Sequence, residues 1–261
     1  MTTNAPAQPV LLSVDGGVAT LMLNRPGKRN ALDAATIAAL DEGMRSVDAR
    51  EDVRVLLLCG AGTDFCSGAD LSQLEKTAAN AGPLDNLADA MELGDLFITM
   101  RRAAKPIIAA VHGHALAGGA GLATAADLIV ASESAKFGYP EVHLGFVPAM
   151  VTALLRRTLG EKATFELIAL GTSFSAADAA RLGLVCRVFR DDDFAAASHS
   201  FALELAARST SAVQLCKRLL YGIDGVSFEA AIARGADINV LARSSAACQE
   251  GVRQFLDKRK R

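Results

Sequence analysis

The chain has 261 residues, 51% of them hydrophobic, and sets 27 basic against 29 acidic side chains for a formal charge of −2. That length can bury a large core, and the charge balance gives no overall positive field to gather nucleic acid or an anionic membrane. The longest apolar runs, Pro106 to Val111 and Leu56 to Cys59, fall far short of the ~20 residues a membrane span requires.

The opening "MTTNAPAQPV" lacks the basic and apolar stretches of a secretory signal, which predicts a cytoplasmic protein. "VLLSV" and the alternating "VATLMLN" flank Gly16–Gly17 and predict a hairpin. After "RPGKRN", Asp33 is placed to cap a helix carrying Ile37, Leu40, Met44 and Val47 at helical spacing. "VRVLLLCG", "PIIAAVHG" and "DLIVAS" read as buried strands, and their alternation with helices predicts an α/β fold with a mostly parallel sheet. Between them, Thr77 to Arg102 starts polar, with Gly82 and Pro83, and ends helical, as a loop leading into a helix would. From Asp191 onward strand signals give way to alanine-rich helical patterns. Residues 1–190 therefore read as an α/β core and 191–261 as a helical region whose Leu215, Leu219, Ile232, Ile238 and Leu241 need a surface to cover. The five cysteines, Cys59, Cys66, Cys186, Cys216 and Cys248, are scattered without metal-ligand spacing and read as reduced thiols, with no metal expected.

Two loops invite a chemical reading. "HALAGGAGLATAADL" places Gly118, Gly119 and Gly121 where an apolar run becomes a helix, although each helical glycine costs roughly 0.5–1 kcal/mol relative to alanine. A helix N-terminus offers unpaired N–H groups, and glycine lets a ligand reach them; close helix packing is the other reading. "GAGTDFCSGADL" again sets small residues before a helix start. Two such turns can each supply one N–H to a single oxygen, as in an oxyanion hole. No Ser–His–Asp arrangement or "GxSxG" accompanies them.

"NRPGKRNAL", "FCSGADL", "KPIIAAVHGHALAGGAGLATAADLIVAS" and "KFGYPEVHLGFVP" occur in the order and spacing of the crotonase superfamily, the enoyl-CoA hydratases and isomerases. By these motifs, which span nearly the whole chain, it is identified as a member. The resemblance implies a spiral of ββα units, a C-terminal helical oligomerisation region, and trimers commonly paired into hexamers. It implies that the N–H groups of Ala69 and Gly118 polarise the thioester carbonyl of an acyl-CoA, with Ser67, Gly68, Asp70 and Leu71 flanking the thioester. Arg25, Lys28 and Ala31 match the segment that contacts the adenine and phosphate end of CoA. Leu116, Gly119, Gly121, Pro140 and Leu144 complete the substrate-contacting set. CoA arrives as part of the substrate, so no separate cofactor is implied.

The family's hydratases use two glutamates. Glu141 matches the second, whereas the first falls at Gly121, which has no side chain. A lone base beside an oxyanion hole suits a double-bond shift, so the expected reaction is isomerisation of an unsaturated acyl-CoA, slightly ahead of hydration. Asp70, Glu75, Asp85 and Asp89 are conceivable second acids. His112 and His114 follow a buried strand without a family role, and a hydrogen-bonding or packing role is expected of His143. Acyl-CoA decarboxylation or hydrolysis, and a scaffold that binds CoA esters or a partner without turnover, are the alternatives.

Overall fold

The computed structural model describes residues 8–70 and 82–259. Leu71, Glu75 and the stretch from Thr77 to Ala81 lie outside the described residues. The main sheet opens with the expected hairpin, β1 (Val10–Asp15) antiparallel to β2 (Val18–Leu23). It continues in parallel through β3 (Val55–Gly60), β4 (Ile107–Val111), β6 (Leu128–Ser132) and β9 (Arg187–Phe189), in the order β1-β2-β3-β4-β6-β9. A small second sheet, β5-β7-β8, joins His114–Leu116, Lys136–Gly138 and Phe174–Ser175.

The alternation of side chains decides what covers each face of the main sheet. Leu21, Leu56, Leu58, Ile107, Ala109 and Ile129 point into the larger core with α1 (Ala34–Asp48), α2 (Pro83–Arg102) and α3 (Gly118–Ala125). Val18, Val55, Leu57, Ile108 and Val130 point the other way, against Phe194, Ala202 and Ala206 of α7 (Phe194–Ala206). Strands buried on both faces explain the unbroken apolar runs of "VLLLCG" and "PIIAAV". Asp33 caps α1 as expected, accepting a bond from the Thr36 N–H at 2.8 Å, and Leu40, Met44 and Val47 are buried beneath it.

The chain then passes through α4 (Ala149–Leu159), α5 (Glu161–Leu170) and α6 (Ala176–Arg181) before β9. Beyond α7 come α8 (Thr210–Gly222), α9 (Phe228–Ser244) and α10 (Ala246–Lys258). α8 is tied to the core by Lys217, whose Nζ donates to the carbonyls of Met100 and Lys105 and to Asp127 Oδ2 at 2.8 Å. Tyr221 donates to the other oxygen of the same carboxylate. No side chain of α9 or α10 is buried. No helix among the described residues is long and apolar enough to cross a membrane.

Candidate active site

Cys66 brings the two small-residue loops together. Its N–H donates to the His114 carbonyl and its own carbonyl accepts from the Leu116 N–H, both at 3.0 Å, so the chain running to Ala69 lies along the chain running to Gly118. Gly68 permits the approach: its φ is +92°, and a Cβ there would lie 2.8 Å from the Leu116 carbonyl oxygen. At Gly119 a Cβ would fall 2.4 Å from the Cys66 carbonyl oxygen. The close-packing reading of the glycine cluster therefore holds at Gly68 and Gly119.

Ala69 pairs with Leu32 through its neighbours, Leu32 N–H to the Gly68 carbonyl and Asp70 N–H to the Leu32 carbonyl. Its own N–H points the other way and has no acceptor among the described residues. The N–H of Gly118, first residue of α3, is likewise without an acceptor among the described residues. The two lie close, since a Cβ built on Gly118 would be 3.9 Å from the Ala69 nitrogen. Two backbone donors this close, one of them at a helix start, can hold one oxygen on which negative charge develops.

Ala117, before α3, has φ +50° and ψ −125°, a conformation that costs a non-glycine residue about 1–3 kcal/mol. It is pinned from both sides: its N–H donates to the Gly138 carbonyl and its carbonyl accepts from the Gly121 N–H. The small sheet, through β7, therefore holds the peptide that aims the Gly118 N–H.

Glu141 lies on the 3-10 turn Pro140–Leu144 that follows β7. Its Oε2 is buried without a hydrogen-bond partner among the described residues, and burial pushes its pKa above the ordinary carboxylate value, against a smaller lowering by its own backbone N–H. Behind it Tyr139 is fully buried, its hydroxyl 3.0 Å from Thr124 Oγ1 on α3. A Cβ at Gly121 would meet Val151 Cγ2 at 2.5 Å and Phe97 Cζ at 3.0 Å. The place expected to lack a carboxylate is therefore filled by two buried apolar side chains. Leu93 of α2 stands 3.2 Å from a Cβ on Gly118.

The segment expected to meet CoA is heavily braced. Arg25 pairs with Asp33 at 2.9 Å and Asp70 at 3.3 Å and also donates to the Ala31 carbonyl. A phosphate reaching it would have to displace two carboxylates, whereas Lys28 is exposed on the 3-10 turn Pro26–Lys28. Of the other acids considered, Asp70 holds Arg25, Asp85 caps α2 by accepting from the Gly82 N–H, and Asp89 is half-buried on α2. Leu144 is 70% exposed, and Pro140 and Ser67 are partly buried. His143 Nε2–H donates to the Leu170 carbonyl at 2.9 Å, and His112 Nε2–H donates to the Gly62 carbonyl at 3.0 Å.

Sequence reasoning missed the carboxylate of Asp64, buried between the two loops and bonded to His114 Nδ1 at 2.6 Å. Its signal was the polar residue inside an otherwise small and apolar loop. The thiols of Cys59 and Cys66 are pushed up by burial to about 11 and about 12. No group of three or more His, Cys, Asp or Glu among the described residues is placed to hold a metal.

The family model described as enoyl-CoA hydratase/isomerase matches residues 13–261. The chain is 37% identical to a mevalonyl-coenzyme A hydratase of Aspergillus fumigatus, over 92% of this chain and 88% of that one. It is 34% identical to a 1,2-epoxyphenylacetyl-CoA isomerase of Escherichia coli, over 96% of each. The crystal structure of an enoyl-CoA hydratase of Mycobacterium smegmatis superposes with a TM-score of 0.91 at 32% identity, covering 96% of each chain. With its fold and length matched throughout, the chain belongs to the enoyl-CoA hydratase/isomerase family of the crotonase superfamily and is an acyl-CoA enzyme of that family.

Proposed function

We propose that the enzyme shifts the double bond of an unsaturated acyl-CoA thioester, with Glu141 as its one proton-transfer group and isomerisation favoured over hydration. The observation that carries this reading is the filled space at Gly121, where Val151 and Phe97 stand in the place of a second carboxylate. The relatives include both a named isomerase and a named hydratase, so the family supports either outcome.

The N–H groups of Ala69 and Gly118 hold the thioester oxygen. The Glu141 carboxylate takes a proton from the α-carbon of a 3-enoyl thioester, and the electron pair moves into the carbonyl to give a dienolate. The same carboxyl returns that proton to the γ-carbon, leaving the double bond between the α- and β-carbons. Nothing is gained or lost, and no cofactor beyond CoA enters. Hydration needs a water held and deprotonated while a proton is delivered to the α-carbon, which one carboxylate serves less well than two. Lys28 and the backbone near Ala31 receive the phosphate and adenine end; Ser67, Gly68, Asp70, Leu116, Gly119, Pro140 and Leu144 flank the acyl thioester. Self-association as a trimer or hexamer belongs to this reading.

The test follows double-bond migration in a short 3-enoyl-CoA and hydration of a short 2-enoyl-CoA. Wild type is expected to isomerise faster than it hydrates. Glu141→Gln keeps the shape but not the basicity and should lose about 10²–10⁴-fold in turnover with CoA-ester binding retained. Unchanged turnover in that variant rejects Glu141 as the base. Efficient hydration by wild type, lost in the variant, keeps the base and reverses the preferred reaction.

A further inference from the structure

Asp64 is a buried carboxylate that the proton transfer does not use. Its side chain is 7% exposed, and Oδ1 accepts from the His114 backbone N–H at 3.0 Å and from His114 Nδ1 at 2.6 Å. Oδ2 accepts from Arg29 Nε at 3.0 Å and from the Thr63 hydroxyl at 3.1 Å, while Arg29 Nη2 reaches Oδ1 at 3.4 Å. Burial alone would raise its pKa, but the bonds from Arg29, His114 and Thr63 outweigh burial and hold it well below the carboxylate range. The group is therefore held as an anion near neutral pH.

What it joins gives this anion a role. Arg29 sits at the end of the Pro26–Lys28 turn, in the left-handed region with φ +50°, and its carbonyl accepts from the Ser67 N–H at 3.0 Å. His114 opens β5, whose next residues lead through the strained Ala117 to the Gly118 N–H. Asp64 itself stands on the segment that leads to the Ala69 N–H. One carboxylate thus ties together the Arg25–Ala31 turn and the two loops that end in the unpaired donors.

The loop does not need this carboxylate merely to close. Asn30 Nδ2 donates to the carbonyls of Ala61 and Asp64 at 2.9 and 2.7 Å, and the Arg25 N–H donates to Asn30 Oδ1. That amide already fastens the turn to the loop. The carboxylate adds the link to His114, on the strand that carries the other donor. The His114 ring is 45% exposed, and its Nδ1 is held by Asp64 at 2.6 Å.

We infer that Asp64, acting with His114, is a positioning residue that sets the spacing between the N–H groups of Ala69 and Gly118. The inference rests on the reading that these two groups hold the thioester oxygen. A donor displaced by a fraction of an ångström still lets the CoA end of the substrate bind but stabilises the developing oxyanion less.

The experiment uses the full chain and 3-phenyl-2-propenoyl-CoA, whose absorption moves to longer wavelength when its carbonyl is polarised. Wild type, Asp64→Asn and His114→Ala are titrated with this ester, and kcat and KM are measured on the preferred enoyl-CoA. Thermal melting records whether each variant is folded. The expected result in both variants is a diminished red shift, kcat lower by about 10- to 10²-fold, and KM within about two-fold of wild type. Should Asp64→Asn fail to fold, His114→Ala decides alone, because it leaves the Asp64–Arg29 pair in place. A full red shift with unchanged kcat overturns the inference, and so does a rise in KM that accounts for the whole loss. A wild type that binds the ester with no red shift overturns the reading of the donor pair itself, an outcome distinct from variants that behave like a red-shifting wild type.

Discussion

Glu141 carries two opposing demands. Burial of its carboxyl raises the pKa, which makes the carboxylate a stronger base at the pH where it is ionised. The acid limb of the turnover profile should therefore lie above the ordinary glutamate value of 4.5, and its absence from the profile of Glu141→Gln would identify the group. The sign for stability is opposite. Between the unfolded value and the raised folded value the native state binds more protons, so folding weakens as pH rises through that window. Glu141→Gln should then melt at or above the wild-type temperature at pH 7, and a clear loss of melting temperature would contradict the buried, unpaired charge. At Gly121 the structure changes what a glutamate could do. Gly121→Glu would drive its Cβ against Val151 and Phe97, an overpacking expected to cost about 1–3 kcal/mol, so it should destabilise before it hydrates anything. Adding Val151→Ala should recover part of that stability, as read by denaturant midpoint, and only the double variant offers the space for a second carboxylate.

At the scale of elements, the site is a product of short pieces that hold each other. α3 is eight residues long and every one of them is buried, so its glycines serve contact with Cys66, Val151 and Phe97 instead of helix propensity. β7 holds Ala117 and so aims the helix start. α8 is docked by a polar pin, for Lys217 is 6% exposed and its ammonium is shared between two carbonyls and Asp127. Burial lowers the Lys217 pKa and Asp127 counters that shift. Removing one partner leaves the other charge buried. Lys217→Ala is expected to cost about 3–5 kcal/mol and to raise amide exchange across α8 first. A variant as stable as wild type would show that α8 is held by its apolar contacts alone.

For the whole molecule, the C-terminal helices carry apolar surface that the described residues leave exposed. Phe228 is 77% exposed, Val240 63%, Ile232 60% and Phe255 61%, and α9 and α10 bury no side chain. Large apolar side chains left in water on two neighbouring helices are what a second copy of the chain would cover. Sedimentation velocity at micromolar concentration should show a trimer or hexamer, and Phe228→Glu with Val240→Glu should shift it toward smaller species. A wild-type monomer would contradict the assembly. α7 belongs to a different layer, since Phe194, Ala202 and Ala206 cover one face of the main sheet. A chain cut near Phe189 would bare that face and should aggregate.

The order of the main elements was legible because period-2 and period-3.6 patterns and caps such as Asp33 act over a few residues. The glycine loops and Glu141 were legible as a resemblance carried by contiguous motifs. The three-residue strands β5 and β7 and the two-residue β8 were not, since pieces so short acquire their structure from the neighbours they pair with. The sequence by itself determined that Gly121 has no carboxylate. Only the tertiary structure decided that Val151 and Phe97 fill the space, that Arg25 is engaged by Asp33 and Asp70, and that Asp64 reaches His114. Those facts depend on contacts between residues far apart in the chain, and packing sets such distances while local propensity does not.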